Sequence, residues 1–211
     1  MSMNPGEQDL IILVADIDAE YALQGLLSRP ERLGVRPVRC QIDRHPMRDG
    51  GCRSQGVAYL RAFRRQFKHS LLIFDHEGCG VEGESAGAIE TRMEAEMDKA
   101  GWAGQSAVIV IEPELDAWVW SDSPHVSDIL GWKTQSQNLH AWLESEGWIV
   151  QGAIKPHRPK EALEVALRKA KKPRTAILYR DLAENVSLRG CTDRAFAKLR
   201  SSLLRWFKES A

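Results

Sequence analysis

The sequence has few of the features that mark membrane, secreted or metal-thiolate proteins. Its apolar runs are far shorter than the roughly 20 residues that cross a bilayer, and no basic segment followed by an apolar one opens the chain. Its 4 cysteines form no CxxC pair, which argues against a zinc site and against a disulfide framework. We therefore expect a cytoplasmic protein with reduced thiols and no membrane contact.

The chain also has no net charge, since 29 basic residues balance 29 acidic ones, but the two signs are separated along it. Residues 29–68 hold 11 Lys or Arg against 3 Asp or Glu, residues 75–128 hold 13 acidic against 2 basic, and residues 155–174 hold 8 basic against 2 acidic. Basic flanks around an acidic centre could hold a polyanion against a metal. They could equally be solvated helix faces whose opposite charges meet in the fold.

Length and composition fit one sizeable core, with 211 residues of which 43% are hydrophobic and 27% charged. Apolar runs alternate with helical patterns, which is typical of a mostly parallel four-stranded sheet flanked by helices. The predicted strands are residues 9–15, 36–42, 71–74 and 107–111, and the predicted helices between them are residues 18–28, 55–68 and 85–100. We expect an α/β core over residues 1–122 and a mainly helical C-terminal extension over residues 123–211 that packs on it.

Some segments allow more than one interpretation. Residues 43–51 are rich in charge and turn formers, which predicts a binding loop beside the sheet. Residues 160–172 and 192–208 are predicted helices of the extension, whereas residues 175–178 form either an edge strand or part of a helix.

The third apolar run ends on two carboxylates one residue apart, Asp75 and Glu77. Ligands of open α/β sheets collect at the carboxyl ends of strands, and alternate residues of an extended segment point to the same side. Two crowded negative charges favour a cation between them, and oxygen ligands suit a hard ion such as Mg²⁺ or Mn²⁺. We therefore predict that both residues bind metal and take part in catalysis, the alternative being a solvent-exposed turn in which Asp75 caps the next element.

Further acids follow the first and fourth strands. If the first and third strands are neighbours, Asp16 can join the site as a general acid/base or as another metal ligand. In the alternative interpretation Asp18 is the N-cap of the next helix and Asp16 lies on the surface. Glu112 is predicted as a fourth metal ligand, although acids in the first turn of a helix, which Pro113 is predicted to open, are also stabilised by the helix dipole alone.

A compact basic group surrounds two prolines in the extension. Its members Lys155, Arg158 and Lys160 are the predicted substrate-binding residues, because lysine and arginine contact the phosphates of nucleic acids. They could instead be solvated. Nothing in the sequence separates DNA from RNA as the substrate.

The order of these motifs resembles the TOPRIM fold of topoisomerases, primases and OLD-type nucleases. Those proteins have an acid after the first strand and a DxD pair after a later one, similar to Asp16 and to Asp75-His76-Glu77 here. More closely, residues 9–207 resemble a TOPRIM-like family of bacterial proteins found beside ATPases in anti-phage defence loci. The shared segments are residues 112–122, residues 155–160, and a late pattern of Arg189, Cys191 and Phe196.

The resemblance implies a Mg²⁺-dependent nuclease, or another phosphoryl-transfer component of a bacterial anti-phage defence system, with ATPase or other defence subunits as partners. The chain departs from the TOPRIM pattern at the first motif, where Ala15-Asp16-Ile17 replaces Glu followed by Gly. Aspartate is one methylene shorter, which can misplace an acid/base group enough to cost much of the rate. The alternative is a catalytically degenerate TOPRIM-like module that binds a partner protein through its tryptophans and segregated charge.

Overall fold

The computed structural model describes residues 8–121, 123–187 and 191–209. Within these residues the chain forms an α/β fold in which helices cover both faces of a four-stranded parallel sheet. This confirms the predicted fold class. Asp122 and Arg189, two of the residues that carry the family resemblance, lie outside the described residues.

The sheet has the order β2-β1-β3-β4. Its strands are β1 Gln8–Val14, β2 Cys40–Arg44, β3 Phe67–Asp75 and β4 Ser106–Ile111, and each neighbouring pair is parallel. The chain runs from β1 outward to β2 and then returns across β1 to β3, so the strand order reverses between β1 and β3. In open α/β sheets, ligands bind outside the carboxyl ends of the strands at such a switch point.

The register brings the two predicted acidic motifs together. Val14 of β1 pairs with Ile73 of β3. Val14 is the last residue of β1, so Asp16 leaves the sheet beside the end of β3, where Asp75 lies. The first and third strands are therefore neighbours, which is the condition on which the predicted site depends.

The helices in chain order are α1 Ile17–Leu27, α2 Pro30–Leu33, α3 Arg48–Arg61, α4 Ala86–Met97, α5 Pro124–Ile129, α6 Leu139–Ser145, α7 Pro159–Ala170, α8 Ala176–Asn185 and α9 Arg194–Phe207. A π-helical turn at Asp98–Trp102 follows α4, and a 3₁₀ turn at Leu115–Trp118 follows β4. None of these described helices combines the length and the apolar character needed to cross a lipid bilayer.

The central strands are apolar throughout because both of their faces are covered. Leu10 and Ile12 of β1 belong to an apolar cluster with residues of α1, α8 and α9, whereas Ile11 and Leu13 belong to a second cluster with residues of α3 and α4. Successive side chains of a strand point to opposite faces, which produces this division. The first cluster also contains Leu163 of α7, so the C-terminal helices pack on the sheet face that α1 covers.

The largest difference from the predicted elements concerns α3. It begins at Arg48 rather than near residue 55, so part of the predicted binding loop is helical. Two consecutive glycines disfavour a helix by propensity, but here they permit close packing. A Cβ on Gly51 would lie 2.0 Å from Nδ1 of the buried His45. Tertiary contact therefore overrides the local preference.

Smaller corrections concern the other element ends. Helix α1 begins at Ile17 and Asp16 is its N-cap, so the assignment of Asp18 as the cap is wrong. Strand β2 begins at Cys40, four residues later than predicted. Pro113 does not open a helix, since the 3₁₀ turn begins at Leu115. For residues 175–178 the helical alternative is correct, because α8 starts at Ala176.

Candidate functional site

The carboxyl edge of the sheet gathers acidic side chains from four segments of the chain. Burial raises the pKa of Asp75 and of Glu114, and neighbouring carboxylates raise both further because one negative charge disfavours another. Asp49, Asp16 and Asp116 raise the pKa of Asp75, and Glu77 contributes to the raised pKa of Glu114. The acids of this edge are Asp16, Asp18, Asp49, Asp75, Glu77, Glu114 and Asp116.

Asp75 lies at the centre of this group. Burial raises the pKa of its carboxyl well above the usual value, and the charges of Asp49 and Asp16 raise it further. A hydrogen bond from the amide of Leu115 acts in the opposite direction. The backbone N–H of Asp75 donates to Oδ1 of Asp49 at 2.8 Å, which holds these two acids side by side.

Asp49 is a site residue that the sequence did not reveal. It lies in the first turn of α3, and it reaches the carboxyl edge because that helix begins earlier than its composition suggests. Burial is the main cause of its raised pKa, and the charge of Asp16 adds to it. In the sequence Asp49 stands between Arg48 and Gly50, but no local pattern links it to the strand ends.

Asp16 joins the group from the end of β1. Its backbone is extended, and its Oδ1 accepts the amide of Ala19 at 2.9 Å as the N-cap of α1. The hydrogen bond fixes the direction of the side chain. Among the described residues, Asp16, Asp49 and Asp75 have no ion pair with Lys, Arg or His. Three neighbouring carboxylates are thus left without a cationic partner.

The other buried acids of the edge are neutralised by cations from the C-terminal extension. Arg174, which precedes α8, places Nη2 3.1 Å from Asp18 and 3.4 Å from Asp116. The Tyr179 hydroxyl also donates to Asp116, at 2.7 Å. Lys160 of α7 lies 3.3 Å from Glu114. The extension therefore completes the charge arrangement of the carboxyl edge, which the local sequence did not indicate.

The other two predicted metal ligands, Glu77 and Glu112, have exposed side chains. The side chain of Glu77 is exposed, and its backbone N–H donates to the carbonyl of Pro113 at 2.9 Å. Glu112 is also exposed and forms an ion pair with Arg194 of α9 at 3.3 Å. The structure thus brings together Asp16 and Asp75 from the predicted set and adds Asp49 to them.

The predicted substrate-binding residues are each held in an ion pair. Lys155 lies 3.3 Å from Asp193, the N-cap of α9, and Arg158 pairs with Glu161 one helical turn away. Lys160 is the member of this group that contacts an acid of the carboxyl edge. A phosphate would have to compete with these carboxylates.

The donor chemistry of the carboxyl edge fits a hard divalent cation. Asp16, Asp49 and Asp75 offer carboxylate oxygens that form no ion pair with a described lysine, arginine or histidine. Within residues 8–121, 123–187 and 191–209, however, no three His, Cys, Asp or Glu side chains are arranged to hold a metal ion by themselves. Mg²⁺ commonly uses one or two carboxylates and completes its shell with water and substrate phosphates. Asp75 with Asp49 or Asp16 would suffice for that kind of site.

A mostly apolar cavity of about 730 Å³ lies elsewhere, among Leu26, Trp118, Leu182 and Phe196. Its lining does not suit a metal or a phosphate. We therefore place the candidate site at the acidic carboxyl edge, where charge rather than cavity volume is concentrated.

Comparison of the chain with models of known protein families, with curated proteins and with solved structures found no match.

Proposed function

We propose that this protein is a Mg²⁺-dependent phosphoryl-transfer protein that acts on nucleic acid, in the simplest case a nuclease. One observation supports this most strongly. Three neighbouring carboxylates, Asp16, Asp49 and Asp75, lie at the switch point of a parallel sheet and have no cationic partner among the described residues. A divalent cation there would relieve their repulsion.

In this proposal each carboxylate has a separate role. Asp75 and Asp49, held together by the 2.8 Å hydrogen bond between them, are the metal ligands. Asp16 keeps one oxygen on the N-terminus of α1, and its second oxygen serves as the acid/base that orients a water molecule. When bound, the metal supplies charge stabilisation at the phosphate and lowers the pKa of its water.

The biological setting in the proposal comes from the resemblance to TOPRIM-like proteins. It places the chain in a bacterial anti-phage defence system, in the cytoplasm, with an ATPase or another subunit of that system as partner. The shorter Asp16 in place of the TOPRIM glutamate is the main departure. Asp49 supplies an additional carboxylate beside Asp75.

A second candidate function is a catalytically degenerate module that binds a partner protein. Two observations favour it: the described residues contain no ready three-ligand metal group, and Lys155, Arg158 and Lys160 are held in ion pairs. In this case the carboxyl edge would be a remnant of a catalytic site. The two candidates differ in their response to metal.

Metal-dependent cleavage is the direct test. With single-stranded DNA, double-stranded DNA and RNA as substrates, we expect cleavage in Mg²⁺ or Mn²⁺ and none in EDTA. Replacing Asp75 with alanine should lower the rate about 100-fold or more, because a metal ligand and its charge are lost. Glu96→Gln is the control. It removes one exposed acid near the C-terminal end of α4, far from the carboxyl ends of the strands, and should leave the rate unchanged.

Thermal denaturation with added metal separates the two candidates. A cation that binds only the folded protein raises its melting temperature. Wild-type protein should therefore melt at a higher temperature in Mg²⁺ or Mn²⁺, and Asp75→Ala should not respond. No shift with either ion, together with no cleavage of any substrate, would overturn the nuclease proposal in favour of the partner-binding module.

A further inference from the structure

A polar cavity of about 590 Å³ opens outside the carboxyl ends of β1 and β2. This volume lies within the range of small-ligand sites. Asp16 forms part of its wall, so the cavity adjoins the acidic carboxyl edge. Its other charged and polar walls come from Glu20, Asp43, Arg44, His45, Arg48 and Tyr59.

Most charges in this cavity are already neutralised or hydrogen bonded. Arg44 pairs with Glu20 at 3.0 Å. The carboxylate of Asp43 accepts the Tyr59 hydroxyl at 2.8 Å and the side-chain amide of Gln41 at 2.9 Å. Three charged groups of the wall have no ion pair in the described part of the chain, namely the carboxylates of Asp16 and Asp43 and the guanidinium of Arg48.

The backbone of Arg48 has an unusual conformation. Its φ is 48°, in the left-handed region that non-glycine residues rarely adopt. Its N–H donates to the carbonyl of His45 at 3.0 Å, and the His45 ring is buried where Gly51 leaves room for it. Backbone conformations of this kind cluster at ligand-binding sites, where the surrounding packing maintains them.

Arg48 also lies close to the acidic carboxyl edge. It directly precedes Asp49 in the first turn of α3 and shares the cavity wall with Asp16. An anion held by Arg48 would therefore lie beside the proposed metal ligands. Guanidinium groups bind phosphate through two parallel N–H donors, which suits this position.

We propose that Arg48 binds a backbone phosphate of the nucleic-acid substrate in this cavity, next to Asp16. The identity of the ligand as nucleic acid rests on the proposed function, whereas the anion site itself rests on the cavity, the unpaired guanidinium and the fixed turn. Arg48 takes the role that the sequence suggested for Lys155, Arg158 and Lys160.

Binding of labelled 15-nucleotide single-stranded DNA and RNA, followed by fluorescence anisotropy, tests this inference. Asp75→Asn protein is used throughout so that the probes stay intact. Arg48→Gln in that protein should weaken binding about tenfold and reduce the slope of log Kd against log salt by about 0.7 to 1, the loss expected for one phosphate contact. Arg48→Lys should restore part of the affinity. The difference in loss between the DNA and RNA probes identifies the nucleic acid that this site prefers.

The control is Arg61→Gln, which removes an exposed arginine from the other end of α3 and should change Kd less than twofold. Melting temperatures of the variants should match that of the parent, which excludes unfolding as the cause. Equal losses of affinity in Arg48→Gln and Arg61→Gln, or no loss in Arg48→Gln, would overturn the inference.

If Arg48→Gln weakens binding although wild-type protein never cleaves, the phosphate site stands and the nuclease proposal fails. If cleavage depends on Asp75 but not on Arg48, the nuclease proposal stands and the phosphate site fails.

Discussion

Asp75→Asn should raise the free energy of unfolding of the metal-free protein by about 1 kcal/mol or more at pH 7. A buried carboxylate beside Asp49 and Asp16 is unfavourable, because burial and both neighbouring charges oppose its ionisation. The asparagine side chain is neutral and its oxygen can still accept the amide of Leu115, so the substitution removes the repulsion and keeps that hydrogen bond.

The gain in free energy of unfolding of Asp75→Asn over wild type should increase with pH. The usual pKa of the aspartate is 3.8, and the folded protein holds its proton to a higher pH. Below pH 3.8 the carboxyl is protonated in both states, and the variant should have little advantage. As pH rises above that value, the unfolded chain releases the proton first, so wild-type stability falls relative to the variant until the folded-state pKa is passed. Above the folded-state pKa the full difference is present.

Urea denaturation in EDTA between pH 4 and pH 8 measures this effect. Asp116→Asn is the contrasting variant, because Asp116 is buried but accepts a hydrogen bond from Tyr179 and pairs with Arg174. Loss of the Asp116 charge should lower the free energy of unfolding by about 1 to 3 kcal/mol. A lower stability of Asp75→Asn at pH 7 in the absence of metal would show that the carboxylate is neutralised in some other way, and the case for a cation at this edge would fail.

Gly25→Ala should lower the free energy of unfolding by about 1 to 3 kcal/mol, as overpacked substitutions do. Gly25 lies in α1 where it crosses α8, and a Cβ there would be 2.6 Å from the carbonyl oxygen of Arg180 and 2.8 Å from Cβ of Ala183. Neither atom belongs to a flexible side-chain end, so the helices would have to separate. Alanine gains up to about 1 kcal/mol in helix propensity, which reduces the loss but does not cancel it.

Gly87→Ala is the matched control for this prediction. Gly87 is an exposed residue of α4, and no atom lies within 4 Å of the position of its missing Cβ. The same change should therefore stabilise the protein by about 0.5 to 1 kcal/mol. Thermal or urea unfolding of both variants checks the pair. Similar gains in stability in Gly25→Ala and Gly87→Ala would mean that α1 and α8 do not pack as closely as the structure indicates.

Movement of α8 has a consequence for the carboxyl edge as well. Arg174 precedes α8 and Tyr179 lies within it, and together they neutralise Asp18 and Asp116. Separation of α1 from α8 in Gly25→Ala should therefore disturb these contacts. The rise in melting temperature with Mg²⁺ or Mn²⁺ should therefore be smaller in Gly25→Ala than in Gly87→Ala, which changes a helix on the other face of the sheet.

The apolar runs determined the central strands, and their alternation with helical segments determined the parallel sheet. Strands buried on both faces must be apolar at every position, so residues 10–14 and 71–74 could be recognised without knowledge of their partners. The positions of Asp16 and Asp75 followed from the strand ends. In each of these cases the information lies within a short stretch of sequence.

Tertiary structure alone decided which acids share the carboxyl edge and which are neutralised. Asp49 reached it because packing of His45 against Gly51 allows a helix that propensity disfavours. Arg174 and Lys160 lie 58 and 46 residues from the acids Asp116 and Glu114 that they neutralise. Charge interactions depend on distance in space rather than along the chain, so no local pattern distinguishes a carboxylate that meets a cation from one that does not.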